Sequence, residues 1–114
     1  MRIKIIFLMT LICSMTIQAE EVTQGSLQGS WRIVQILAAP YDADDRWVFK
    51  DNMIYEIYNE HKTPAIKFKI VGQKIIIEDE DDPREGNNIV IISLDSNTMK
   101  AKRFNYDYIL KKQT

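Results

Sequence analysis

Cysteine is almost absent from this chain: its one cysteine, Cys13, falls within the first nineteen positions. Those positions carry Arg2 and Lys4, then an uncharged apolar run from Ile5 to Ile17, then "IQA" before Glu20. This is the form of a secretory signal peptide. The run is shorter than the roughly 20 residues a spanning helix needs, and no second apolar stretch follows. The expectation is export, periplasmic or secreted, with cleavage after Ala19 and no membrane span afterwards; an uncleaved anchor is the alternative. With Cys13 removed, the mature domain has no disulfide and must be held by its core alone in an oxidising compartment.

Histidine is equally scarce. His61, in "NEHKTP", is the only one, whereas a zinc site needs several nitrogen or sulfur ligands. No serine stands in a recognisable nucleophile context beside a base, so neither an enzyme nor a bound metal or cofactor is expected. An excess of positive charge is also missing. The chain has 15 basic and 16 acidic residues, and loss of Arg2 and Lys4 with the leader leaves a net charge of about minus three, which argues against nucleic acid or an anionic membrane as partner. With only four glycines and three prolines, no linker or repeat divides the chain. It reads as a signal peptide over 1–19, a loosely held lead-in over 20–26 and a single domain over 27–114.

What the mature sequence has in quantity is alternation. Isoleucine, valine, tyrosine and phenylalanine alternate with polar residues in short runs broken by turn residues, the pattern of strands. Eight runs are predicted: 31–37, 46–50, 53–58, 65–71, 74–78, 88–94, 98–104 and 106–112. In "AIKFKIV", Ile66, Phe68 and Ile70 face one way while Lys67 and Lys69 face the other. Eight antiparallel strands with nearly all connections local predict an all-β, up-and-down barrel, which leaves no sheet edge exposed. A two-sheet sandwich is the alternative.

The stretch "LQGSWRIV", with Gly29, Ser30 and Trp31 at the head of the first strand, resembles the Gly-x-Trp signature of lipocalins, and in particular the short bacterial lipocalin-like domains. "WVFKDNMIYEI" and the closing "YILKK" are similar to the second hairpin and last strand of those domains. The resemblance spans residues 27–112 and implies that Trp31 packs across the closed end of the barrel, with Gly29 allowing close approach. It also implies a basic side chain over the indole, for which Arg103, Lys111 and Lys112 are candidates. The absence of a disulfide and of longer strands departs from larger lipocalins and puts a deep ligand cup in doubt.

Strand parity places Ile33, Gln35, Phe49, Tyr55, Ile57, Ile66, Phe68, Ile70, Ile75, Ile77, Ile89, Ile91, Met99, Ala101, Tyr106, Tyr108 and Leu110 on the inner face. Trp47 and Phe49 fill the interior or line a mouth. An eight-stranded barrel is either filled by its side chains or holds one small ligand. For the second case Gln35, Tyr55, Arg103 and Tyr108 are the candidate binding residues. The acidic run "EDEDDPRE" lacks the spacing of a calcium loop. It reads as a solvated hairpin loop or, through Asp79, Asp81 and Asp82, as a contact surface for a basic partner. The function expected is binding of a small apolar or amphipathic molecule; the alternative is a periplasmic protein-binding module such as an inhibitor, an immunity protein or the soluble partner of a membrane sensor.

Overall fold

Pairs of residues able to take tight hairpin turns recur along the chain, and the strands between them pair with their sequence neighbours. The computed structural model describes residues 22–114; the signal peptide expected over 1–19 lies outside the described residues. Ten strands follow in order: β1 Gly29–Ile36, β2 Ala39–Pro40, β3 Arg46–Lys50, β4 Met53–Tyr58, β5 His61–Lys62, β6 Ile66–Val71, β7 Lys74–Ile77, β8 Ile89–Leu94, β9 Thr98–Arg103 and β10 Tyr106–Gln113. The eight longer ones pair antiparallel as β1-β3-β4-β6-β7-β8-β9-β10, and β10 returns to β1 from Ser30↔Gln113 to Ile36↔Tyr108. The sheet is therefore a closed up-and-down barrel rather than a sandwich, and its eight strands are those expected from the alternation. The two-residue strands β2 and β5 fold back on β1 and β4 as short ribbons.

Side chains fill the interior. Trp31, Trp47, Phe49, Ile33, Ile75, Ile89, Met99 and Leu110 are each fully buried, and Phe49 meets Phe68 edge to face at 5.5 Å. An indole such as Trp31 buries some 150–250 Å², about 4–6 kcal/mol of transfer free energy before entropy is counted.

The lead-in is better held than its composition indicated. Thr23 caps a single helical turn, Gln24–Leu27, in a reciprocal capping box with Ser26, while Val22 and Leu27 are buried. Gln28 ties this turn to the β3–β4 hairpin, accepting from Asp51 N at 2.7 Å and donating to Asp51 O at 3.0 Å. The segment thus closes one end of the barrel. There the Trp31 indole donates to Leu27 O at 2.8 Å and lies under Lys112 Nζ, 5.2 Å from the ring centroid. Lys112 is the covering cation; Lys111 instead donates to Thr98 Oγ1. Gly29, at φ +119°, leaves room for it, since a Cβ there would lie 2.8 Å from Lys112 Cε.

Three expected inward positions point elsewhere. In β1 the register slips between Ile33 and Gln35, so Ile33 faces Leu110 but Gln35 faces Ile109. The extra residue of this bulge, Val34, flips parity, turning Gln35 outward and Ile36 inward. In β4 the two-residue turn at Asp51 and Asn52 pairs Phe49 with Ile54 and Trp47 with Glu56. Facing partners share a side of the sheet, so Ile54 and Glu56 face inward while Tyr55 and Ile57 face out. Tyr106 keeps the inner parity opposite Arg103, but stands at the rim and is 49% exposed.

Candidate functional site

At the end opposite Trp31, the barrel wall delivers polar groups into an apolar interior. β9 ends with Arg103, which is 5% exposed, and β4 contributes Glu56 from the facing wall. The guanidinium makes a forked pair with the carboxylate, Nη1 to Oε1 at 2.8 Å and Nη2 to Oε2 at 3.3 Å. Its remaining donors reach Asn87, with Nε to the carbonyl at 2.9 Å and Nη2 to Oδ1 at 2.7 Å. Asn87 is presented by the 3₁₀ turn Glu85–Asn87 that closes the acidic loop. Planar recognition of a carboxylate in this way is the geometry arginine suits best.

Aromatic side chains surround this pair. The guanidinium lies 5.3 Å from the Trp47 ring and 5.5 Å from Phe104, and Tyr108 tilts onto Trp47 at 5.0 Å. The Tyr58 hydroxyl donates to Glu56 Oε1. Tyr41 donates to Asp45 Oδ2, and Asp45 Oδ1 also accepts from Asn59 N at 3.3 Å. Tyr58, Phe104 and Tyr106 each remain more than a third exposed. The mouth is therefore an aromatic ring over a neutralised ion pair.

Electrostatics keep these phenols protonated. Burial, with the Glu56 charge second, raises the Tyr58 hydroxyl well above the ordinary tyrosine range. Burial likewise raises Tyr108, and donation to Asp45 raises Tyr41. One donor in the mouth lacks an acceptor. Trp47 is 1% exposed, and its Nε1 makes no hydrogen bond with any described residue. It is directed at the Tyr58 hydroxyl, slightly favouring the phenolate, but without hydrogen-bond geometry. A buried orphan donor costs about 1–3 kcal/mol.

The four binding residues expected from sequence do not converge. Arg103 and Tyr108 belong to the mouth. Tyr55 lies on the outer wall, its ring 4.2 Å from Lys62 Nζ. Gln35 lines an outer groove of about 540 Å³ with Leu37, Ile92, Lys100 and Ile109, and Tyr108 reaches this groove as well as the mouth. Glu56, Asn87 and Tyr58 were not singled out in the sequence, although the two-residue turn before β4 already sets the parity that sends Glu56 inward. In the acidic loop, Asp82 is forked to Arg84 at 2.8 and 2.9 Å. Asp79 Oδ1 accepts from Asp81 N at 2.9 Å, and Asp81 is exposed. Among the described residues, no three His, Cys, Asp or Glu side chains are grouped to hold a metal ion.

Residues 27–101 match the family described as a lipocalin-like domain. The crystal structure of a lipocalin-like protein from Bacteroides uniformis superposes with a TM-score of 0.59 at 14% identity, covering 78% of this chain and 100% of that one. No curated protein matches the chain.

Proposed function

Because the chain belongs to the lipocalin-like domain family, we infer that it is a small, non-catalytic binding protein whose ligand is taken at the open end of the barrel. The ligand is a small amphipathic molecule with an apolar body and a hydrogen-bond acceptor. Its body lies against Tyr58, Tyr106 and Tyr108, and its acceptor meets the Trp47 indole N–H. The Trp47 indole carries this reading: a buried N–H approached only by the Tyr58 hydroxyl, and without full hydrogen-bond geometry, beneath exposed aromatic rings, is a place where an acceptor that takes the hydroxyl's place gains more than it would in water. Arg103 does not supply a free charge, because Glu56 already answers it. Recognition therefore favours a neutral polar head over an anionic one.

The protein acts outside the cytoplasm in this reading, on the strength of the leader at residues 1–19. Sequencing the N-terminus of protein recovered from cell fractions tests that part: Glu20 as first residue in the periplasm or medium is expected, and an intact leader in the membrane fraction overturns it. For the site, calorimetric titration with a panel of sterol-like, fatty-acyl and aromatic amphiphiles is the direct measurement. Saturable binding that weakens about tenfold or more in Trp47→Phe, as loss of a buried hydrogen bond requires, is expected. No heat across the panel, or equal affinity of the variant, overturns it.

A further inference from the structure

The outer wall beside the mouth has a second concavity, built by departures from regular strand geometry. β8 carries a bulge between Ile91 and Ser93, which leaves Ile92 projecting and 56% exposed. Across β9 and β10, the bulge at Val34 turns β1 outward at Gln35. The chain then reverses through Leu37 and Ala38 at φ 53° and 65°, left-handed conformations that cost such residues about 1–2 kcal/mol each. Leu37, also 56% exposed, is thereby held at the edge of the groove. Bulges and strained turns of this kind re-aim side chains and gather at binding sites.

Charge decides what fits there. The cross-strand row on the groove floor reads Gln35, Ile109, Lys100, Ser93. In the next row Lys102 is answered by Asp107 at 3.7 Å, whereas Lys100 has no ion pair or hydrogen bond with any described residue. An apolar channel with an unanswered ammonium on its floor complements an alkyl chain that ends in an anion. Two exposed large apolar side chains, Leu37 and Ile92, with Ile109 half-buried between them, fall far short of the roughly 800 Å² that a stable protein partner covers, but a groove of about 540 Å³ is within the range of small-molecule sites.

We propose that this groove is a second, external binding site for a single-chain anionic amphiphile of the fatty-carboxylate class, with Lys100 meeting the carboxylate and Leu37, Ile92 and Ile109 the chain. The site adjoins the mouth at Tyr108, which lines both, but its ammonium and its apolar side chains lie outside the barrel.

The test is NMR titration of the leader-free chain with decanoate and, in parallel, with decyltrimethylammonium, both below micelle formation. Saturable shifts at Leu37, Ile92, Lys100 and Ile109 with decanoate alone are expected. Lys100→Glu should weaken binding about fivefold or more, the scale of one exposed charge contact, and Ile92→Ser about tenfold. Both positions are exposed on the wall, so the fold is kept in each, as unchanged amide dispersion will verify. Shifts confined to Trp47, Tyr58 and Arg103, equal affinity for the cationic amphiphile, or ligand-free broadening of the groove residues through self-association each overturn the proposal.

Discussion

Arg103→Met removes four hydrogen bonds at once. Asn87 is left with a carbonyl and an amide oxygen lacking their donor, and the Glu56 carboxylate retains only the Tyr58 hydroxyl. Breaking a buried pair by deleting one member costs about 3–5 kcal/mol. The Glu56 side chain keeps 18% of its surface in water, so the lower figure, about 3 kcal/mol, applies. A domain of this size has only some 5–14 kcal/mol in all, and each kcal/mol moves Tm by about 4–8 °C. Glu56→Leu should cost as much, because it strands a guanidinium that is 5% exposed. The double variant Glu56→Leu/Arg103→Met replaces both charges by apolar volume and should return to within about 1 kcal/mol of the parent. Guanidinium chloride unfolding at one temperature, with slopes unchanged across the four proteins, gives the coupling directly, expected at about 2 kcal/mol or more. If either single variant costs under about 1 kcal/mol, or if the two costs simply add, the pair is solvated rather than buried.

Three further outcomes follow from the geometry. Gly29→Ala places a methyl 2.8 Å from Lys112 Cε at φ +119°; a loss of about 1–3 kcal/mol, with altered near-ultraviolet dichroism as Lys112 leaves Trp31, is expected in a denaturant titration. Ala38→Gly relieves a left-handed turn at φ 65°; set against the entropy that glycine adds to the unfolded chain, a net gain of about 0.5–1 kcal/mol should appear as a raised Tm. Tyr41, Tyr58 and Tyr108 all titrate above the ordinary value in the folded state. The unfolded chain therefore sheds these protons first, near pH 10, and the stability they contribute is complete below that pH and declines as pH rises through it. Unfolding midpoints that do not fall between about pH 9 and about pH 11, or a Tyr58→Phe variant with an undiminished fall, would contradict this assignment.

Alternation and turns were legible in the sequence because both are local. Trp31, Phe68 and Met99 stand on the inner face as a period of two requires, and the pair Asp51 and Asn52 closes its hairpin. Parity was less legible wherever one added residue reverses it. Val34 and Ile92 look like ordinary strand residues, and only the partner strand reveals them as bulges. β4 is different, since its turn already dictated that Phe49 faces Ile54. Apolar alternation favoured Tyr55 and Ile57 as the inner set because it treats an inward Glu56 as an error. That inference holds only when a buried carboxylate has no partner, and Arg103 lies 47 residues further along the chain. The candidate site was thus half visible: Arg103 and Tyr108 could be named, but the group that neutralises the arginine could not.

Trp31 and Trp47 are cross-strand neighbours on β1 and β3, and each lies under its own cation, Lys112 and Arg103, with different energetic consequences. At Trp31 the indole N–H is bonded to Leu27 O and the covering lysine is half-buried. At Trp47 the N–H is orphaned and an ion pair occupies volume that apolar side chains would fill at equal or lower free energy. On the function proposed for the mouth, groups held at such a cost beside exposed aromatic rings serve recognition rather than folding. The consequence is a separation of the two properties in one protein. Glu56→Leu/Arg103→Met should unfold with close to the parent midpoint while its affinity for whatever amphiphile binds at the mouth falls, because Trp47 and Tyr58 lose the pair that fixes their orientation. A double variant that keeps both stability and affinity would assign the ion pair to neither, and would leave the orphaned indole as the only recognition group at that end.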